Sequence, residues 1–163
     1  MEDLEQRIVG LLEASGLAYE IVACDPELAD TAVFCAHYGH SLAHSANTIV
    51  VRSKTGEAKF AACLVLATTR LDVNQAVRRK LEARKASFAS PEETEAVTGM
   101  TLGGVTPLSL PAELPLWVDG RIMALDRVIL GGGNRASKII VDPALFNTLA
   151  NTEIVADLAK ESS

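Results

Sequence analysis

The segment Gly99-Met100-Thr101-Leu102-Gly103-Gly104-Val105-Thr106-Pro107 constrains this chain more than any other. Three glycines and a proline fall within it, with neither the two-residue period of a strand nor the 3.6-residue period of a helix. Glycine accepts positive φ and lets other atoms approach the backbone, while proline fixes φ and removes an amide donor. Such a segment is a shaped loop, and the surface it offers is main-chain carbonyls and amides. Chemistry at such a site is carried by the backbone rather than by a titrating side chain.

The flanking sequence supplies regular elements to hold the loop. Leu4, Ile8, Leu11 and Leu12 recur at helical spacing and Gly16 stops them, which predicts an amphipathic helix over 2–15. Residues 19–23 read as a short strand, and Thr31 caps a second helix that ends near Gly39. Residues 47–52 and 58–67 are β-rich runs around Ser53-Lys54-Thr55-Gly56, a hairpin. A helix is predicted over 73–83 and a short strand over 87–89. Ser90-Pro91-Glu92-Glu93 combines an N-cap, a proline at the first helical position and a glutamate at the third, and Gly99 follows as a C′ residue. Beyond the loop, 116–118 is a strand closed by Asp119-Gly120. Strands over 127–130 and 138–141 flank Gly131-Gly132-Gly133-Asn134. Asp142-Pro143 opens a final helix to about Ala150, and a strand over 153–155 and a polar tail complete the pattern. Strands in adjacent runs joined by tight turns, with helices between the groups, give an α+β fold with a mixed, largely antiparallel sheet. At 163 residues and 48% hydrophobic content the chain is expected to form a single domain, 1–163.

Composition narrows the function classes. Aromatic residues make up only 4%, too few for a broad stacking platform on single-stranded nucleic acid, though a pocket for one terminal nucleotide needs few. A net charge of −6 argues against a DNA-coating protein. The charge is uneven: the first thirty residues hold eight acids, whereas Arg78, Arg79, Lys80, Arg84 and Lys85 crowd one short stretch with only Glu82 opposing them. That run reads as a solvated helix face or as a local phosphate contact. Cys24, Cys35 and Cys63 show no Cys-x-x-Cys spacing and are expected to be reduced, buried thiols of a cytoplasmic protein. The acidic N-terminus does not resemble a signal peptide, and no apolar run reaches membrane-spanning length.

Conventional catalytic and metal constellations are missing. His37, His40 and His44 would align on one helix face with Cys35 nearby, but Gly39 breaks the register, so surface or capping roles are expected and no metal. There is no Gly-x-Ser-x-Gly elbow, and Cys63 lies mid-strand among apolar residues, as a core thiol does. Gly131 to Lys138 echoes a phosphate loop without its Gly-Lys-Ser/Thr spacing and precedes a strand, so it reads as a hairpin turn. Its amides, with Arg135 and Lys138, could still hold one phosphate.

The order of these motifs resembles the YbaK and bacterial prolyl-tRNA synthetase editing-domain family. Thr31-Ala32, Ala36 and Gly39 resemble the family's Thr-x-x-x-x-Ala-x-x-x-Gly helix. Thr48-Ile49-Val50-Val51 matches its apolar strand. Ser90-Pro91-Glu92-Glu93 leads into Gly99-x-x-x-Gly103-Gly104-Val105-Thr106-Pro107, and Val118-Asp119 precedes the glycine turn before Ile139-Ile140-Val141. The resemblance implies a compact, β-barrel-like mixed sheet flanked by helices. It also implies hydrolysis of mischarged aminoacyl-tRNA in trans, without a cofactor. In that family the glycine–proline loop helps hold the aminoacyl ester and a water, with help from the vicinal hydroxyl of the terminal ribose. Oriented backbone dipoles suit that chemistry.

Carried onto this sequence, the resemblance assigns the reaction site to Gly103, Gly104, Thr106, Pro107 and Asn47. Thr31, Asp119, Arg135 and Ser137 become pocket walls. Arg78, Arg79, Lys80, Arg84 and Lys85 would meet the tRNA acceptor stem behind its 3′ end, and an aminoacyl-tRNA synthetase is a further partner. Two departures stand out. Asn47 occupies the place of a family lysine, exchanging a charge-assisted contact of about 1.5–3 kcal/mol for a neutral amide. Arg52 and Lys59 sit near the hairpin turn, which leaves Arg70 or Arg135 to supply the cation. Ser109 stands where the family usually has glycine. The loss of the lysine opens a rival reading, an inactive module that binds charged tRNA, a nucleotide or a synthetase.

Overall fold

The computed structural model describes residues 3–161. The first helix, α1, spans Leu4–Ser15, with residue 2 of its expected range outside the described residues. Its start is a capping box: Asp3 accepts from the Gln6 amide while the Gln6 side chain accepts from the Asp3 amide. Gly16 ends it at φ 70°. Ile8 and Leu12 are its fully buried residues, each contributing about 1.5–3 kcal/mol of burial.

Strand β1 (Tyr19–Ala23) follows, then α2 (Thr31–Tyr38), closed by Gly39 in the left-handed region. The expected hairpin is β2 (Ala46–Ser53) with β3 (Phe60–Leu66), paired antiparallel from Ala46↔Leu66 to Arg52↔Phe60. A short strand β4 (Thr69–Leu71), absent from the sequence expectation, turns out of β3. The helix expected over 73–83 is a π-helical turn over Val73–Val77 and a single turn α3 (Arg78–Lys80). Glu82 adopts φ 54°, which ends the helix there. Next come β5 (Ala86–Phe88) and α4 (Pro91–Thr98), the latter with the Ser90–Glu93 capping box and Gly99 at φ 76°.

After the glycine loop, β6 (Leu116–Asp119), β7 (Val128–Gly131) and β8 (Ser137–Val141) follow. The final helix is only a 3-10 turn, Pro143–Asn147. Asp142 caps it and Pro143 starts it, as expected, but it stops at the Thr148 C-cap. Strand β9 (Thr152–Val155) and a further strand β10 (Ala159–Glu161), where a polar tail was expected, complete the described chain; residues 162–163 of that tail lie outside it.

The strands form three sheets, ordered β5-β2-β3-β6-β9, β1-β8-β7 and β10-β4. The large sheet is mixed, with β3–β6 and β6–β9 parallel and the rest antiparallel. The fold is α+β as expected, but among the described residues no barrel closes. The main core lies between α1, one face of β3 and β6, and the β7–β8 hairpin, through Leu12, Leu64, Val118, Leu130, Ile139 and Phe146. A second core, around Val51, Cys63, Val77 and Trp117, fills the other face of the large sheet.

Candidate functional site

A cavity of about 560 Å³ opens where α2, β2, the glycine loop and the β7–β8 hairpin meet. The glycine loop is fixed in place by contacts that only glycine permits. A Cβ on Gly104 would run into the Asn134 backbone, and one on Gly131 into the Val105 carbonyl. The Gly133 amide donates to the Gly104 carbonyl at 2.7 Å. Gly103 has φ +90°, and its α-carbon lies against the Arg135 guanidinium. Arg135 itself donates to the Pro26 carbonyl at 3.0 Å, the Leu102 carbonyl at 3.2 Å and Asp30 at 3.3 Å, tying the loop to the start of α2.

Gly103, Asn47 and Thr31 converge on this cavity. The Thr31 hydroxyl donates to Asn47 Oδ1, which leaves the Asn47 amide nitrogen as its free polar end among the described residues. The other expected residues fall elsewhere. Gly104 is buried behind the cavity lining with its amide donating to the Thr101 carbonyl at 3.0 Å. Thr106 is fully buried; its hydroxyl accepts from the Leu108 amide and its own amide faces the Met100 sulfur. Pro107 lines a separate, smaller hollow beside Leu110 and Leu149. The loop winds through the protein, so consecutive residues face opposite directions.

Asp119 is 1% exposed and does not line the cavity. Its carboxylate accepts from the Arg121 amide at 2.9 Å, the Ala159 amide at 2.7 Å and the Arg121 guanidinium at 3.2 Å, so it anchors β10 to the end of β6. Ser137 donates to Asn134 Oδ1 within the glycine turn. In the basic run, Arg78 donates to the Asn74 and Ala83 carbonyls, and Lys80 pairs with Glu153 at 2.8 Å and lies over Trp117. Arg79, Arg84 and Lys85 are exposed without an ion-pair partner among the described residues. Their stretch leads directly into β5, whose Phe88 lines the cavity.

Other lining residues carry signals that the sequence reading did not single out. Thr48 Oγ1 is buried with no hydrogen-bond partner among the described residues. Thr94 is buried in the same wall. Phe88 and Leu102 stand at the mouth, 57% and 51% exposed, the most exposed large hydrophobic side chains among the described residues. Lys138, named from sequence only as a companion of the glycine turn, is buried in the lining. The alternation of β8 determines this: Lys138 pairs with Gly131 and Val22, and a residue on either side would face elsewhere. Neither Arg70, exposed on β4, nor Arg135 is among the lining residues.

Only Asp30 and Lys138 among the lining residues ionise. Burial pulls the Lys138 ammonium below the usual lysine range, with Arg135 adding to the shift and Cys24, Cys35 and Asp30 opposing it. Burial pushes the Cys63 thiol well up, as befits a core thiol. His40 stacks on Phe34 and His44 pairs with Asp126 at 3.2 Å. Among the described residues no three His, Cys, Asp or Glu side chains gather as metal ligands, and no helix is long and apolar enough to cross a membrane.

An open α+β frame thus carries a pocket lined by apolar side chains, hydroxyls, one amide, Asp30 and Lys138. This chain belongs to the aminoacyl-tRNA editing domain family, whose pattern it matches over residues 25–149. It is 25% identical over 152 residues to the multifunctional Ser/Thr-tRNA deacylase ProXp-y of Escherichia coli K12, covering 92% of this chain and 90% of that protein. A crystal structure described as a candidate trans-editing enzyme for prolyl tRNA synthetase superposes with a TM-score of 0.77 at 22% identity, covering 99% of both chains. The crystal structure of a hypothetical protein gives 0.79 at 24% identity over 94% of this chain and 99% of that one. These structures share the fold. Family and relatives together support a trans-acting aminoacyl-tRNA deacylase.

Proposed function

We propose that this chain, acting as one editing domain over 1–163, hydrolyses the ester of a mischarged tRNA that carries a small, hydroxylated amino acid. The observation that carries this reading is the cavity beside Gly103, lined by Asn47 and Thr31. The Ser/Thr specificity in the name of the Escherichia coli relative agrees with it.

The chemistry needs a placed water and a stabilised oxyanion. No described residue accepts a hydrogen bond from the Gly103 amide, so that donor is free for a ligand oxygen. The Asn47 amide nitrogen supplies a second neutral donor. Placement of this kind replaces a nucleophile by pre-organisation of the reacting groups. Gly104, Thr106 and Pro107 serve by holding the loop's shape, and Arg135 and Ser137 by holding the turn that backs it. Phe88 at the mouth offers one face to the terminal base, and Arg79, Arg84 and Lys85 offer phosphate contacts along the acceptor stem. A synthetase would deliver the charged tRNA.

The test is a deacylation panel of Ala-, Cys-, Ser-, Thr- and Pro-tRNA at catalytic protein concentration. Hydrolysis of Ser- or Thr-tRNA well above the spontaneous rate is expected. Tight binding of charged tRNA with no turnover of any ester would replace this reading with the inactive binding module.

A further inference from the structure

The cavity holds a buried cation that no described residue neutralises. Lys138 is 5% exposed. Its nearest organised partner is the Phe34 ring, with Nζ 5.5 Å from the centroid. Among the described residues no carboxylate pairs with it and no atom accepts a hydrogen bond from it. Asp30, the one acid in the lining, is committed to Arg135 at 3.3 Å. The groups facing Lys138 are Cys24 beyond β1, Cys35 on α2, Asp30 before α2 and Arg135 in the glycine turn. A charge taken out of water without a partner is costly, and one kept beside a cavity is suited to receive a negative charge there.

We propose that Lys138 is a catalytic residue of the deacylation, its ammonium donating a hydrogen bond to the carbonyl oxygen of the bound aminoacyl ester. The inference rests on the deacylase reading and adds a residue to it. Water adds to the carbonyl carbon, and the C=O π pair moves onto the oxygen, where Lys138 stabilises the new negative charge. The tetrahedral centre collapses, the bond to the ribose oxygen breaks, and that oxygen takes a proton supplied by the attacking water. The products are the free amino acid and a tRNA with its terminal hydroxyl restored. Lys138 stays an ammonium throughout.

Placement favours the ester over a phosphate as the partner. Lys138 is buried against the Phe34 ring, whereas Phe88 and Leu102 of the same lining are exposed and mark the mouth. A hydrated phosphate belongs at the mouth, and a small neutral carbonyl reaches the enclosed part. A neutral ground state that becomes an anion in the transition state is the case in which such a cation accelerates the reaction rather than tightening binding.

Steady-state deacylation by Lys138→Met, read together with its melting curve, tests this. The expected result is a fall in kcat of about 100-fold with KM within about threefold of wild type. A Tm equal to or a few degrees above wild type is expected with it, because an unpaired buried charge has been replaced by an isosteric apolar chain. Lys138→Arg, which keeps the charge, is expected to retain more activity than the methionine variant. If methionine prevents folding, Lys138→Gln, of similar reach and uncharged, gives the same reading. A raised KM with unchanged kcat would assign the cation to phosphate and overturn the proposal, as would activity in the neutral variants equal to wild type. A wild-type protein inactive across the whole tRNA panel overturns the deacylase reading itself, an outcome separate from a Lys138 result obtained with active wild type.

Discussion

Two charged side chains are buried among the described residues, and their surroundings are opposite. Asp119, at the end of β6, is met by two backbone amides and a guanidinium. Lys138, in the middle of β8, has an aromatic ring and an open cavity. A charge whose partners are all supplied by the chain stabilises the fold. A charge whose partner is missing weakens the fold and has a use only when something else arrives. Residues of equal burial therefore differ in how completely the chain satisfies their hydrogen bonds.

That contrast breaks if the two sites respond alike to neutralisation. At Lys138, as set out above, activity collapses while the melting temperature holds or rises. At Asp119, Asp119→Ala strands the Ala159 amide and is expected to cost about 3 kcal/mol, or about 6–12 °C in Tm, with kcat of the folded fraction unchanged. Differential scanning calorimetry beside deacylation kinetics resolves the two. A loss of kcat at Asp119 without loss of stability would move that residue into the site.

Smaller effects sharpen the boundary of the cavity. Gly103→Ala places a Cβ against the Arg135 guanidinium at φ +90°. It is expected to cost about 1–2 kcal/mol and to reduce kcat/KM about tenfold as the loop shifts, measured by urea unfolding and kinetics. Acid melts report on the start of α4. The Ser90 amide, with Arg52 adding to it, holds the Glu93 carboxyl below its ordinary range. Glu93 thus contributes stability that is complete above the unfolded carboxylate pKa and is lost as pH falls through its lowered folded value. Glu93→Gln is expected to flatten that part of the stability–pH curve. The smallest change is at Ser109, which adopts φ 66° and accepts a hydrogen bond from Arg7 at 2.9 Å. Ser109→Gly relieves the backbone at the expense of that bond, for a net gain below about 1 kcal/mol in unfolding free energy.

Much of the fold was legible because its punctuation is local. The cap at Ser90, the proline at 91 and the left-handed glycines at 39 and 99 each act within one turn, and each stands where the residues placed it. The 3-10 turn after Asp142 shows the limit. Its start signal is real, but its length depends on whether an apolar face finds a partner, which no window of sequence contains. The site was half legible for the same reason. Asn47, Thr31 and Gly103 meet because the motif order brings their elements together. Thr106 and Pro107 belong to the same motif and point away, since the side a loop residue faces is decided by what it packs on. Lys138 reads as one more basic residue beside a turn until the pairing with Gly131 fixes its direction.

The glycine contacts at 104 and 131 have a consequence for how such a domain changes its choice of substrate. At Gly131, which lines the cavity, backbone is pressed on the Val105 carbonyl, and at Gly104, just behind the lining, on Asn134, with no room for a side chain at either. Mutation cannot remodel those contacts by degrees; it can only dismantle them. Selectivity is left to be rewritten at lining side chains such as Thr31 and Thr94, where single atoms can be added or removed while the backbone contacts stay fixed.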